Sequence, residues 1–486
     1  AREASRLEPA IVLRAGAKAA VRKPAWGSLF LIGLACLFVA ALFARLSLNP
    51  GPDWLSFVAC FFLLTGWSLM VPMISRLLSR ALDRALSITR QAAHRPYAML
   101  LKMSATQFER SLHRTSVTVA ALMAAVAMLI GVTVMISSFR QTIETWMQRS
   151  LVADLFLSPA SQLVLGVHDT LPPRLRTFLT DQPEVESVDS FRQVQVVMPD
   201  GDEIGLGVVD GPRRDNLSFK TGNASQILSF FYNNDAVMVS EPLAQRYGLR
   251  RGEEVLLPTP SGTQSFPIAG VFYDYTDDRG VLFMRRSTYR QFWDDPKEQS
   301  LAIYLKDGVN QSESGMSTIL GERIRQAFGQ EGAFLLLSNG EIREEVRRIF
   351  NQTFAVTSML RSIAIIVALI GIILTLTTLV QERGREIGVL RSIGASRWQI
   401  CQLFLGEASL IGLASSLIGM AAGIALAVIL TTFVNLAFFG WTIPLNLPLG
   451  EILPTPVWVT IVACLAGLVP AYKAASLPLN KAVRME

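Results

Sequence analysis

The sequence predicts an α-helical membrane protein with six transmembrane helices and an external mixed α/β domain on a helical stalk. Three observations predict it. The chain of 486 residues is 51% hydrophobic, and the excess is gathered into runs. Six runs, at about residues 26–46, 54–74, 116–136, 354–380, 400–430 and 454–472, reach the ~20 residues needed to cross a bilayer. Between the third and fourth runs lie about 200 residues of ordinary globular composition.

The net charge of +6 is unevenly placed. Arg14, Lys18, Arg22 and Lys23 precede the first run; Arg76, Arg80, Arg84, Arg90, Arg95 and Arg110 are among the cations between the second and third; Lys473, Lys481 and Arg484 follow the sixth. The short loops at 47–53 and 433–453 contain neither Lys nor Arg. Basic short loops stay in the cytoplasm, so both ends of the chain and residues 382–399 are expected inside and residues 139–353 outside. A basic stripe can also bind nucleic acid, but each cluster here adjoins a span, so no nucleic-acid partner is expected; the bilayer is the partner. The four cysteines, Cys36, Cys60, Cys401 and Cys464, sit in or beside the runs, which leaves the external domain without a disulfide framework.

The first residue is Ala1, not Met, with no signal peptide before it, so a processed chain or a piece of a longer polypeptide is expected. Residues 4–14, ASRLEPAIVLR, and 475–484, ASLPLNKAVR, share Ala-Ser, a nearby Pro and a closing apolar-Arg pair. This repeat predicts a duplicated module of which the chain begins with the last residues of copy one. The expected order is the end of that first module with its linker (1–25), a two-helix insert (26–78), cytoplasmic and interfacial helices (79–115), and a span (116–138). There follow the external domain with its stalk helices (139–353), a span (354–381), a cytoplasmic helix (382–399) and a span (400–432). An outer loop (433–453), a last span (454–474) and a tail (475–486) complete it.

The third and fourth runs extend outward as charged helices. Phe139, Ile143, Trp146 and Met147 form one stripe, and Ile342, Val346 and Ile349 form another. Together they predict a stalk that passes motion across a bilayer without a pore. The external domain alternates like strands at 155–157, 185–188, 193–198 and 204–209, with a turn at 199–202. Residues 235–275 read strand, short helix, strand, turn, strand; 281–284 and 302–305 are further strands, and 172–179 and 315–328 are helices.

Catalytic constellations are missing from the pattern. His94, His113 and His168 have no Cys or carboxylate at ligand spacing, so no metal is expected. The acidic run at 274–278 reads as a solvated loop rather than a cation site, and no P-loop motif occurs, so no cofactor is expected in this chain. Glu407 and Arg361 could mark an ion path, but snorkelling to an interface explains both more simply. Gly419 and Gly423 form a small-xxx-small pattern of the kind found at helix contacts.

Residues 381–399, QERGREIGVLRSIGASRWQ, closely resemble the segment after the second span of FtsX-like ABC transporter permeases, the family of the MacB and LolC/LolE permeases. Residues 235–275 are similar to the external core domain of MacB-type permeases, and both basic tails resemble the family's C-terminal end. The resemblance implies a non-catalytic permease subunit of a bacterial inner membrane and a first FtsX-like module absent from this chain. It implies a partner cytoplasmic ABC ATPase dimer that binds ATP and Mg, and it allows a periplasmic partner. Glu382, Arg383, Arg385, Glu386, Leu390, Arg391, Gly394, Ala395 and Ser396 match the coupling helix that the ATPase would push, with Glu386 and Arg391 in polar contacts and Leu390 in the ATPase groove. Work would then be done outside the membrane on a lipid, lipoprotein or other hydrophobic substrate. The alternative is a signalling or scaffold permease that senses antimicrobial peptides or recruits a periplasmic hydrolase.

Overall fold

The computed structural model describes residues 26–47, 52, 54–88, 96–163, 169–210, 217–306, 313–382 and 384–476. The repeated tail at residues 4–14, most of its copy at 475–484, His94 and His168 lie outside the described residues. The chain divides into two compact units. The first holds residues up to Val134, Met359–Leu430 and Leu447–Glu486; the second holds Met135–Ser358 and Thr431–Asn446.

The first unit is helical. Trp26–Leu46 and Leu55–Ile88 pack through glycines, because a Cβ on Gly33 would sit 2.8 Å from the Gly66 carbonyl oxygen. The interfacial helix and third span are one continuous helix, Pro96–Ser150, whose residues up to Val134 belong here. It meets the Arg397–Val428 helix at the predicted small-residue face. A Cβ on Gly419 would lie 2.8 Å from Val126 Cβ, and one on Gly423 would lie 2.8 Å from Ile130 Cβ. Thr455–Ser476 closes on the same helix, with Gly412 against Ala463 and Gly467 against Ala408. Close backbone approach at these glycines allows dispersion contacts between the helices.

Among the described residues, five of the six expected spans are helices long and apolar enough to cross a membrane. The expected fourth span reaches that standard only when Ile365–Gln381 is joined to Glu386–Ser392, across a bend of 64°. Glu407 is a correction. It does not snorkel; it is fully buried between helices and accepts a bond of 2.9 Å from Ser111 Oγ. A carboxylate in such surroundings needs donors, and Ser111 is placed one helix away to supply one.

The second unit is built on a nine-stranded sheet. Its strands are β1 (Leu155–Pro159), β2 (Val185–Val197), β3 (Glu203–Val209), β4 (Val237–Ser240), β5 (Glu254–Thr259), β6 (Gly262–Phe272), β7 (Val281–Arg285), β8 (Ser300–Leu305) and β9 (Phe334–Ser338). They lie in the order β5-β6-β4-β7-β3-β2-β8-β1-β9. The pairs β3–β7 and β4–β6 are parallel and the others antiparallel. The separate strands expected at 185–188 and 193–198 are one strand, because β2 pairs with β8 along its first half and β3 along its second. Pairing on both flanks supplies backbone partners through the polar middle, where alternation fails. The helices Pro173–Thr180 and Glu313–Phe328 cover β1, β2 and β8 through Leu175, Leu179, Leu320 and Ile324. Ala224–Asn233 covers β4 and β6 through Ile227 and Phe231.

Two helical segments carry this sheet. Phe139 packs edge-on against Phe350 at 5.3 Å, Arg140 donates to Asn351 at 3.0 Å, and Glu144 lies 3.7 Å from Arg347. At their outer ends Asn339 Nδ2 donates to the carbonyls of Leu151 (2.7 Å) and Ala153 (2.9 Å). Ser338 and Glu341 form a reciprocal cap that starts the Asn339–Glu382 helix: Glu341 Oε2 accepts from the Ser338 N–H at 2.7 Å, and Ser338 Oγ accepts from the Glu341 N–H at 3.3 Å.

Candidate functional site

Two places in the chain concentrate chemistry, one in each unit. In the helical unit it is the segment 382–399. It is not one helix. Gly384–Ser392 is a short helix, residues 393–396 form a turn, and the next helix starts at Arg397. Gly394 makes the break, at φ +107, and Ala395 N–H closes the turn on the Leu390 carbonyl at 3.0 Å. Ser396 then caps the Arg397 helix reciprocally with Gln399. Glu386, Gly394 and Ser396 are exposed, Arg391 is half-buried, and Ala395 packs beside Leu390. Arg383 and the side chains of Glu382 and Arg385 lie outside the described residues.

Leu390 departs from expectation. It faces its own unit, against a cluster of Val380, Ile387, Ile400, Phe404 and Ala471. The apolar side chains that point outward are Val389 (50% exposed), Ile393 (80%) and Trp398 (64%). The Gly394 turn decides this, because its closing hydrophobic contact takes Leu390 and Ala395 inward.

In the second unit the site lies between the helix that ends at Ser150, the sheet and residues 431–446. Of the predicted stalk residues, Ile143 is buried, Trp146, Ile342 and Val346 are half-buried and Ile349 is exposed. Trp146 meets Tyr275 edge-on at 6.2 Å, and Tyr275 meets Trp441 at 5.8 Å. Trp441 also packs on Phe139 and Phe439. The expected loop at 433–453 is partly helical, with Asn435–Phe439 ending at Gly440 in the left-handed region.

Residues beyond that helix are tied down by a buried carboxylate. Glu241, 1% exposed, accepts from Thr442 N–H (3.0 Å), Thr442 Oγ1 (2.7 Å) and Lys220 Nζ (2.7 Å). Tyr275 donates to the Thr442 carbonyl at 3.0 Å, and Ser138 Oγ accepts from Asn446 N–H at 3.0 Å. Burial, with the charge of Glu241 next, raises the Tyr275 and Tyr273 phenols above their usual range, so both stay neutral and Tyr275 keeps the proton it donates.

Two adjoining cavities open here, of about 320 and 400 Å³, and they share Trp146, Arg149, Ser150 and Tyr273. The first is walled by aromatic rings, among them Phe191, Phe272 and Phe283. Asp274 and Asp277 line it. Asp274 was expected in a solvated loop; it is 5% exposed. Burial raises its carboxyl above the usual range, against the opposing bond from Thr276 Oγ1 at 2.6 Å. The second cavity is lined by hydroxyl and amide groups of Ser138, Gln141, Thr142, Thr145, Tyr275 and Asn446. Among the described residues, no group of three or more His, Cys, Asp or Glu side chains is placed to hold a metal ion. Glu241, Asp274 and Trp441 were not singled out as a site from sequence, since nothing local links positions some 200 residues apart.

Residues 115–315 match the MacB-like periplasmic core domain, and residues 358–479 match the FtsX-like permease C-terminal domain. Over 436 residues the chain is 31% identical to the uncharacterised ABC transporter permease protein Rv0987 of Mycobacterium tuberculosis. The chain is homologous to FtsX-like ABC transporter permeases. The match takes in 89% of this chain and 50% of Rv0987, so the chain spans about half the length of that relative. The macrolide export ATP-binding/permease protein MacB of Neisseria gonorrhoeae is 28% identical over 180 residues, 37% of this chain and 26% of that protein. Among solved structures, the periplasmic region of MacB from Actinobacillus actinomycetemcomitans aligns with 40% of this chain and 93% of its own, at 14% identity and a TM-score of 0.30. The segment 382–399 falls within the FtsX-like part, and the cavity-lining Trp146, Asp274 and Asp277 fall within the MacB-like part.

Proposed function

We propose that this chain is the C-terminal part of a two-module permease in a bacterial inner membrane, driven by a separate cytoplasmic ATPase dimer that carries ATP and Mg. In this reading residues 382–399 are the coupling segment, and the bent pair 365–381 and 386–392 supplies the sixth span with its inner end. The ends of the chain lie inside and the MacB-like domain outside, an orientation that the placement of Lys and Arg supports. ATP-driven closure of the ATPase pushes the coupling segment, the stalk helices follow, and the outer domain acts on a lipid, lipoprotein or other hydrophobic substrate. The chain itself performs no bond chemistry.

One observation carries the reading. Between two long apolar helices stands a doubly capped turn that turns Val389, Ile393 and Trp398 outward, with Arg391 and Arg397 beside them. Apolar anchors rimmed by Arg are the composition of a protein-binding hot spot. The test is Ile393→Asp combined with Trp398→Ala in the full permease. The ATPase should be lost from pull-downs in detergent while the melting temperature stays unchanged, since neither side chain is buried. Full retention of the ATPase would refute the coupling assignment.

A further inference from the structure

The first cavity of the second unit has an unusual balance of charge. Its walls are aromatic, yet Asp274 and Asp277 face it side by side. Thr276 Oγ1 and the Arg279 N–H satisfy part of each carboxylate, at 2.6 and 2.9 Å. Among the described residues neither Asp has a cationic partner. Two more carboxylates, Asp189 and Asp210, line the cavity, and Asp210 is already held by Arg176 at 3.0 Å. The cation in the lining is Arg149, which is exposed and bonded to Ser218 Oγ at 2.6 Å. Burial of Asp274, which is 5% exposed, favours its neutral acid, and an arriving cation would favour the ionised form and so be held by it. Aromatic faces add attraction for the same charge. Trp146 and Tyr273 stand at the wall shared with the second cavity. The volume of about 320 Å³ lies at the small end of ligand sites, which limits the occupant to a compact molecule.

We propose that this cavity binds a small aromatic cation, with Asp274 and Asp277 as its counter-charges and Trp146 and Tyr273 as its stacking faces. The permease reading is needed only for what such binding would accomplish, and the site stands without it. The hydroxyl-lined second cavity, beyond Trp146, accepts a polar substituent of the same ligand. Binding there would touch both the stalk helix, through Trp146, and the strap at Thr442, through the second cavity.

The experiment uses the purified full chain in nanodiscs of zwitterionic lipid, without ATPase or nucleotide. N-methylacridinium is titrated and followed by fluorescence anisotropy, with uncharged acridine as the matched neutral probe. The expected result is saturable binding of the cation alone. Asp274→Asn with Asp277→Asn should weaken it at least ~10-fold, a loss of about 1.4 kcal/mol. Asp277→Asn alone, at a half-exposed position that folding does not depend on, should give part of that loss. Arg149→Gln, which removes the lining cation, should tighten binding. No saturable binding, equal binding of acridine, or unchanged affinity in the Asp variants would overturn the proposal. Because no ATPase is present, failure here leaves the coupling assignment standing, and loss of ATPase binding leaves this site standing.

Discussion

Replacing Glu241 by Ala should cost the second unit about 3 kcal/mol. The carboxylate is 1% exposed and holds three donors. Two come from Thr442, at 3.0 and 2.7 Å, and hydrogen bonds to a charged acceptor contribute about 1.5–3 kcal/mol each. The third is Lys220, whose side chain is 43% exposed, so its share is held to roughly 0.5–1 kcal/mol. Against these stands the desolvation of the carboxylate, which the mutation relieves. Lys220 can turn to water, whereas the half-buried Thr442 N–H has nowhere to turn. The net of about 3 kcal/mol corresponds to a fall of roughly 6–12 °C in melting temperature for a domain of this size. Glu241→Gln keeps one acceptor and should lose about half as much. The assay is thermal unfolding in detergent, read by tryptophan emission, because Trp441 sits among Phe139, Tyr275 and Phe439 next to the lost bonds. Limited proteolysis should show earlier cleavage within residues 431–446. An alanine variant that melts within ~2 °C of the parent, with unchanged cleavage, would refute the idea that Glu241 holds this strap.

Two further perturbations test other parts of the fold. Gly423→Leu places a side chain where even a Cβ meets Ile130 at 2.8 Å, so the helical unit should lose its monodisperse peak in size-exclusion chromatography; Gly371→Leu, with nothing within 4 Å of the added Cβ, should elute as the parent does. On the acid side, the Arg323 fork on Glu184, with bonds of 3.1 Å to each oxygen, holds that carboxyl below its usual range. A depressed carboxyl stabilises the fold above its unfolded value and loses that contribution as pH falls through the folded value. Melting temperature should therefore fall more steeply between pH ~5 and ~3 in the parent than in Arg323→Gln, and parallel curves would refute the assignment.

Much of the helical unit could be read from local pattern. The Gly419/Gly423 face and the charged segment at 382–399 stand where their spacing placed them, because helix packing by small residues is a periodic property of one stretch of sequence. The break inside 382–399 was also written there, as Gly394 followed by Ser396 and Gln399, a stop and a start in six residues. In the second unit the turn at 199–202 and the order of elements through 235–275 followed from turn chemistry. The helix at Ala224–Asn233 went unread although Asn223 offered a cap, and the helix approaching the fourth span was read without its starting cap, Ser338 with Glu341 three residues later. The strand order could not be read, because β7 sits between β3 and β4 by pairing across more than 40 residues. Nor could the site. Its members come from a helix at 146, a strand end at 273–277 and a strap at 441–442, and polarity alone made Asp274 look solvated.

The knot at Asn339 restricts how the two stalk segments can move. Its side chain holds the carbonyls just past the end of one helix, at Leu151 and Ala153, while its own backbone begins the other. Arg343 adds a further bond to Leu151, at 3.3 Å. A slide of one segment along the other by a single helical turn, ~5.4 Å, would break all three bonds together. A tilt or rotation of both as a pair would break none. The permitted stroke is thus concerted, like a hinge pin through two plates. A push that arrived on only one segment would be delivered to both.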